Sequence, residues 1–290
     1  MALPRPQKTL PITCYPLMIR LTQNPSKHIA ALLVLISLLC FPNLTGSAAS
    51  AHFFYFNPDS AHSNLSGLKQ MMDTYLTDEG CSFSFQPFTR LRDFDRQVKE
   101  GHPSLLFLPE WYLKQDGNDK KFKPFMVPVQ NGVTTYRKIL LVAADFDLTT
   151  EKLANASIAM TSVGSAGMSM LNDAIFNGNG LDGNTLNFIT TAKDSDALFA
   201  LTLGQVKAAL ISEDNLKKVG AINPKILQTV KTLAISKPIP LPVLCYVEGV
   251  TNLADLDKLR KSLLAGKQDK KTAQIMELLD IDAWQAPTPQ

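Results

Sequence analysis

The chain is poor in the side chains from which most catalytic and metal sites are built. Four histidines and four cysteines occur in 290 residues, and neither type clusters. No His-Glu-x-x-His, Cys-x-x-Cys, Gly-x-Ser-x-Gly or Gly-x-x-x-x-Gly-Lys pattern is present. Common signatures of zinc hydrolysis, dithiol chemistry, serine esterases and phosphate loops are thereby missing. Gly178-Asn179-Gly180 lacks the third glycine of a dinucleotide loop. His62 and His102 stand alone in polar stretches, and Asp145 with Asp147, or Asp280 with Asp282, read as turns and helix ends. The expectation is no catalytic residue, no metal and no cofactor. An excess of one charge sign is lacking too: 29 Lys and Arg stand against 26 Asp and Glu. Part of that small excess sits in Arg5, Lys8, Arg20 and Lys27. Nucleic-acid binding needs a concentrated basic face, so no nucleic-acid partner is expected.

Long apolar runs are also scarce. The longest covers residues 29–41 (IAALLVLISLLCF) and is short for a membrane span. Lys27 and His28 precede it; Pro42 and a run of small residues, 46–51, follow. Basic, then apolar, then small is the order of a secretory signal peptide. Residues 1–51 are therefore expected to be a cleavable leader, cut before His52, or an uncleaved anchor. Met18 followed by Arg20 would make a more ordinary start. Leu38-Leu39-Cys40 lacks the small residue of a lipoprotein site. Beyond the leader only Cys81 and Cys245 remain, as a disulfide or as two buried thiols.

What the chain does have is the composition of a globular protein, 45% hydrophobic and 19% charged, with length enough for two lobes. Periodicity predicts a strand at 52–57, a helix at 64–77, a strand at 81–88, a helix begun by Thr89 and a strand at 104–108. This βαβαβ order implies parallel strands with right-handed crossovers. A polar hairpin (115–123) and strands at 125–130 and 136–144 follow. A second α/β series runs over 157–219, and a strand at 231–236 leads to Pro238, Pro240 and Pro242. A strand at 243–247 and two helices finish the chain. The order predicts an α/β fold of two lobes, each a mixed sheet flanked by helices and joined by two crossovers. Lobe one takes 52–144 with 241–290, and lobe two takes 145–240.

Strand ends of such lobes wall a cleft. Ser162, Gly164, Ser165 and Ala166 lie between a predicted strand and helix, where free amides and the helix dipole favour an anion. The plain alternative is Ser165 as a helix cap. Asn57, Thr89, Arg90, Trp111, Tyr112 and Ser195 follow other strands and complete the candidate set. Trp111 and Tyr112 suit a cleft as aromatic platforms. Tyr136 on the crossing is a weaker candidate.

Several segments together resemble the PhnD-like binding components of phosphate, phosphite and phosphonate ABC importers, a branch of the type II periplasmic binding proteins. Pro109-Glu110-Trp111-Tyr112 is similar to the family's Pro-x-x-Tyr, and Gly132 and Tyr136 to its Gly…Tyr. Gly164-Ser165-Ala166-Gly167 stands where the family has Ser-Thr-Ser-Gly, and Asp194-Ser195-Asp196-Ala197 where it has Ser-His-Asp-Ala. Gly204-Gln205-Val206-Lys207-Ala208-Ala209 and Ser236-Lys237-Pro238-Ile239-Pro240 follow two further motifs. The resemblance implies a hinged periplasmic clamp for a small anion, a monomer serving an ABC permease. Gly164, Ala166, Ser195 and Lys207 depart from the pattern and weaken the phosphonate reading specifically. The other reading is a sensor or adaptor that presents the same clamp to a membrane partner without transport.

Overall fold

β1 (Ala51–Phe56) carries four consecutive aromatics, and all four are buried. Strand alternation sends Phe53 and Tyr55 to one face and Phe54 and Phe56 to the other. Such a strand belongs inside a sheet covered on both sides. In the computed structural model, which describes residues 51–60, 64–115, 117–147 and 150–288, it does. Of the expected leader, 1–51, all but Ala51 lies outside the described residues, as does His62.

α1 (Leu65–Asp78), β2 (Phe83–Phe88), α2 (Leu91–Glu100) and β3 (Leu105–Leu108) follow, with β2 and β3 parallel to β1 on either side. α3 (Glu110–Leu113), α4 (Asn118–Lys121) and β4 (Phe122–Val129) come next. The polar stretch expected as a hairpin thus holds a turn of helix. β5 (Thr135–Tyr136), β6 (Lys138–Ala143), α5 (Thr150–Leu153), β7 (Ser157–Thr161) and α6 (Gly164–Leu171) lead into a π-helical turn, Asn172–Phe176. Then come β8 (Asn187–Thr191), α7 (Asp194–Thr202), β9 (Ala208–Ser212), α8 (Glu213–Ile222), α9 (Pro224–Thr229) and β10 (Val230–Ile235). β11 (Ile239–Pro240), β12 (Val243–Val247), α10 (Leu253–Ala265), α11 (Lys270–Leu279) and β13 (Ala283–Gln285) complete the chain.

The strands form a six-stranded sheet, β13-β4-β12-β3-β1-β2, and a five-stranded sheet, β10-β6-β9-β7-β8. Both are mixed. A small antiparallel pair, β5 with β11, carries the chain between them in both directions. The described residues form one compact unit. One apolar cluster joins the sheets: Phe56, Phe94 and Trp111 from the first meet Met160, Val163 and Leu171 from the second. Separate clusters cover the far face of each sheet.

The sequence reading kept residues 136–144 with the first lobe, but the chain passes over earlier. β6 pairs with β9 and β10 in the five-stranded sheet. The reason is burial: Leu140 and Val142 pack into one cluster and Ile139 and Leu141 into another. A bare crossing offers no cover on two faces. The return runs through Ser236, whose N–H donates to the Lys138 carbonyl at 2.8 Å, to Leu241, whose N–H donates to the Thr134 carbonyl at 2.9 Å. Cys81 and Cys245 are free, buried thiols. Burial pushes them up to about 11 and about 12, which leaves both inert at neutral pH.

α6 is held close to α3. A Cβ on Gly167 would lie 2.5 Å from the Val163 Cβ and 3.2 Å from the Trp111 ring. Gly167→Ala is expected to lower stability by about 1–3 kcal/mol through overpacking. Urea denaturation checks this, and an unchanged midpoint would show that the contact can relax.

Candidate functional site

The carboxyl ends of β1, β7 and β9 point at one region, the usual ligand side of α/β sheets. What fills it begins with a turn. After β1 the Asp59 N–H donates to Asn57 Oδ1 at 3.2 Å, and the Ser60 N–H donates to the Asn57 carbonyl at 3.2 Å. This Asx turn aims the Asp59 carboxylate out of the first sheet. It accepts from Lys138 Nζ at 2.6 Å, from Tyr136 Oη at 2.7 Å and from Thr161 Oγ1 at 3.2 Å. Asn215 Nδ2 donates to the Asp59 carbonyl at 2.9 Å. Tyr136 sits on the crossing strand; Lys138, Thr161 and Asn215 belong to the second sheet and its helix α8. One short loop of the first sheet is therefore bound by four side chains from beyond it.

Lys138 opens β6 directly opposite Ser212 of β9, and its side chain is fully buried. Asp194, also fully buried, begins α7. Its Oδ2 accepts from the Ser212 N–H at 2.6 Å and from Asn215 Nδ2 at 3.1 Å. Its Oδ1 accepts no hydrogen bond and lies 3.5 Å from Lys138 Nζ. One ammonium thus serves two carboxylates. Burial pulls the Lys138 ammonium down, but Asp194 and Asp59 outweigh it and hold Lys138 above its ordinary value. Burial raises Asp194 to about 6, against the opposing pull of Lys138. Burial and the Asp59 charge lift Tyr136 well above a normal phenol, so it remains a neutral donor. Beside this cluster opens a cavity of about 80 Å³, lined in part by Asn57, Asp59, Tyr136, Ser212, Asn215 and Lys218.

The entrance of α6 lies one turn of chain beyond Thr161. Gly164 has φ 62° and is exposed, as is Ser165. Val163 is the capping residue and makes no side-chain cap; the first turn holds no acidic residue. Neither α7 nor α8 shares this: their first turns carry Asp194 and Asp196, and Glu213 and Asp214. A Cβ on Gly164 would lie 3.1 Å from Leu91 Cδ2. The start of α2, where Thr89 and Arg90 are exposed, therefore abuts the amides of α6 across the gap between the sheets.

The sequence candidates thus fall into four groups. Thr89 and Arg90 precede Leu91, whose side chain reaches Gly164, while Gly164 and Ser165 are exposed and Ser162 is half-buried. Asn57 shapes the Asp59 turn and lines its cavity. Trp111 and Tyr112 lie in α3 and are buried at 4% and 2% exposure. Tyr112 Oη donates to Asp95 at 2.7 Å within its own lobe, so its hydroxyl is spent on packing. Trp111 and Ala166 line a wider groove of about 580 Å³ between α3 and α6. Ser195 is half-buried in the first turn of α7. Sequence reasoning missed Asp59, Lys138, Thr161 and Asn215; Asp194 stood among the residues at strand ends, without its partners. One signal was there: Lys138 has the strand parity of Leu140 and Val142, so its stem had to enter the core. Among the described residues no three or more His, Cys, Asp or Glu gather in a way that could hold a metal ion, and no helix is long and apolar enough to cross a membrane.

Two outcomes follow from the shared ammonium. Lys138→Met leaves two buried carboxylates without a counter-charge and should cost about 3–5 kcal/mol, read by chemical denaturation. Asp194, with its pKa raised in the folded state, binds its proton more tightly there than when unfolded. Its contribution is therefore most favourable below the ordinary carboxylate value and declines as pH rises toward about 6. The stability difference between the wild type and Asp194→Asn should accordingly shift against the wild type over that window. A difference that is flat with pH would remove the assignment.

The family model for periplasmic phosphonate substrate-binding proteins of ABC transporters matches residues 54–290. A binding protein component of an ABC phosphonate transporter from Pseudomonas aeruginosa superposes with TM-score 0.67 at 13% identity, covering 82% of this chain and 81% of its own. PhnD1 from Prochlorococcus marinus, in complex with methylphosphonate, gives 0.63 at 11% identity over 82% and 92%. A Xanthomonas citri protein bound to chloride ion gives 0.63 at 13% over 83% and 93%. At these identities the likeness shows the fold, the two-lobed type II binding-protein architecture. No curated protein matches the sequence. The match over 54–290 places the chain in the family of periplasmic phosphonate-type substrate-binding proteins of ABC transporters, which are solute-binding proteins and not enzymes.

Proposed function

We propose that this protein captures a small oxyanion of the phosphate–phosphonate class at the entrance of α6 and delivers it, as a monomer, to an ABC permease. On this reading residues 1–51 are the export leader. The observation that carries the reading is the pairing of an uncapped, acid-free helix entrance with an exposed arginine. Gly164 and Ser165 offer free amides and a hydroxyl, and the dipole of α6 adds partial positive charge. Arg90 stands next to the residue that touches Gly164, and a guanidinium suits a planar or tetrahedral oxyanion by paired hydrogen bonds. Because Arg90 follows β2 of the first sheet and Gly164 follows β7 of the second, an anion held by both favours closure.

The departures from the family's hydroxyl-rich loop also matter. Gly164 and Ala166 contribute no side-chain donor, so backbone amides, Ser165 and Arg90 carry the recognition. A sensor or adaptor role for the same clamp is favoured by one observation, the Asp59 contacts that already bridge the two sheets.

A thermal-shift titration with phosphate, phosphite and methylphosphonate tests the proposal. A bound anion raises Tm by mass action, by about 2–4 °C for each kcal/mol of binding in a domain of this size. Arg90→Ala combined with Ser165→Ala should weaken the response at least tenfold in apparent Kd, given about 1.5–3 kcal/mol for a charged hydrogen bond. Equal affinity in the double variant would move the site away from α6.

A further inference from the structure

We infer that Lys138, Tyr136 and Thr161 form a carboxylate-sized anion cradle, and that the chain fills it with its own Asp59, a built-in ligand that ties the two sheets together without solute. This goes beyond the oxyanion reading, since none of the cradle side chains belongs to α6 or to the Arg90 segment.

The geometry has the features of a ligand site. A flexible-length ammonium, a neutral phenol and a hydroxyl all donate to one carboxylate, at 2.6, 2.7 and 3.2 Å. The Lys138 side chain is fully buried and that of Asp59 is 12% exposed, so the contacts are shielded from solvent and salt. Asp59 reaches the cradle from a turn rather than from a strand or helix. The Asx turn at Asn57 and the Asn215 contact to the Asp59 carbonyl hold its backbone. That is how an extrinsic anion would be held, donors from one body and the acceptor from another. The adjoining cavity touches Asp59, Tyr136 and Asn215, so the cradle opens onto space that a small molecule can enter.

The charge count explains why the cradle survives removal of its occupant. With Asp59 gone, Lys138 still faces Asp194 at 3.5 Å, one cation against one anion. The vacated position keeps three donors and lacks only an acceptor. The atoms deleted by Asp59→Ala are those of a carboxylate group, and formate is the free ion that replaces them.

The experiment compares the wild type with Asp59→Ala by small-angle scattering and by thermal unfolding. Each is titrated with sodium formate against sodium chloride at matched ionic strength. The variant alone should show a larger radius of gyration and a lower Tm. Formate, but not chloride, should return both toward the wild-type values, while leaving the wild type unmoved. A variant with wild-type dimensions and no selective response to formate overturns the inference, as does an equal response in both proteins. Should Asp59→Ala not fold, Asp59→Asn decides: it keeps the shape and removes the charge. A widened or formate-stabilised Asn variant supports the cradle, and one identical to the wild type in both measurements ends it. Loss of the phosphate response in the Arg90 and Ser165 variant, with the formate response of Asp59→Ala intact, would separate the two sites.

Discussion

The arrangement of this protein depends on where a single buried ammonium finds its counter-charges. Lys138 starts a strand whose other residues are apolar, so its stem follows them inward and its charge goes with it. A charge in that position must be paired or neutralised. Asp194 supplies a partner from its own sheet and Asp59 one from the other. The consequence reaches past local stability. To bring Asp59 within hydrogen-bond distance, the loop after β1 must stand across the gap between the sheets, and Tyr136, Thr161 and Asn215 converge on it there.

A clamp made from two sheets and two crossings needs something to decide how far it closes. In a solute-driven clamp that role falls to contacts made with both halves at once. Here part of the role is taken by the chain itself, through Asp59, and part by apolar packing of Trp111 against α6. The α6 entrance and the Asp59 cluster differ in electrostatic character although they share one region. The first offers free amides beside an exposed arginine; the second holds two carboxylates and one lysine. On the proposed reading the first takes the oxyanion, and the second is closed to one for as long as Asp59 stays in place.

Much of the architecture was legible along the chain. The aromatic run at 53–56, the alternation of Phe83, Phe85 and Pro87, and the helical spacing of Leu68, Met72, Tyr75 and Leu76 each announce an element through burial alone. The small residues at 164–167 likewise marked a strand-to-helix turn. The passage between the lobes was harder. Residues 136–144 read as a strand of the first lobe, because hydrophobic period records that a strand is buried and not against what. Trp111 and Tyr112 were read as cleft residues since they follow a strand. A short helix buries both, and Trp111 still lines the groove beside α6 while Asp95, seventeen residues earlier, takes the Tyr112 hydroxyl.

The sequence by itself determined the two-lobed α/β plan, the family and the place of the α6 entrance, since these rest on local periodicity and on residues near one another in the chain. The tertiary structure alone decided that Asp59, Tyr136, Lys138, Thr161, Asp194 and Asn215 meet. They come from five separate segments, and none taken singly points to the others. The physical reason is that the pairing of charges across sheets depends on distance in space. No spacing along the chain encodes it until the strands have chosen their neighbours.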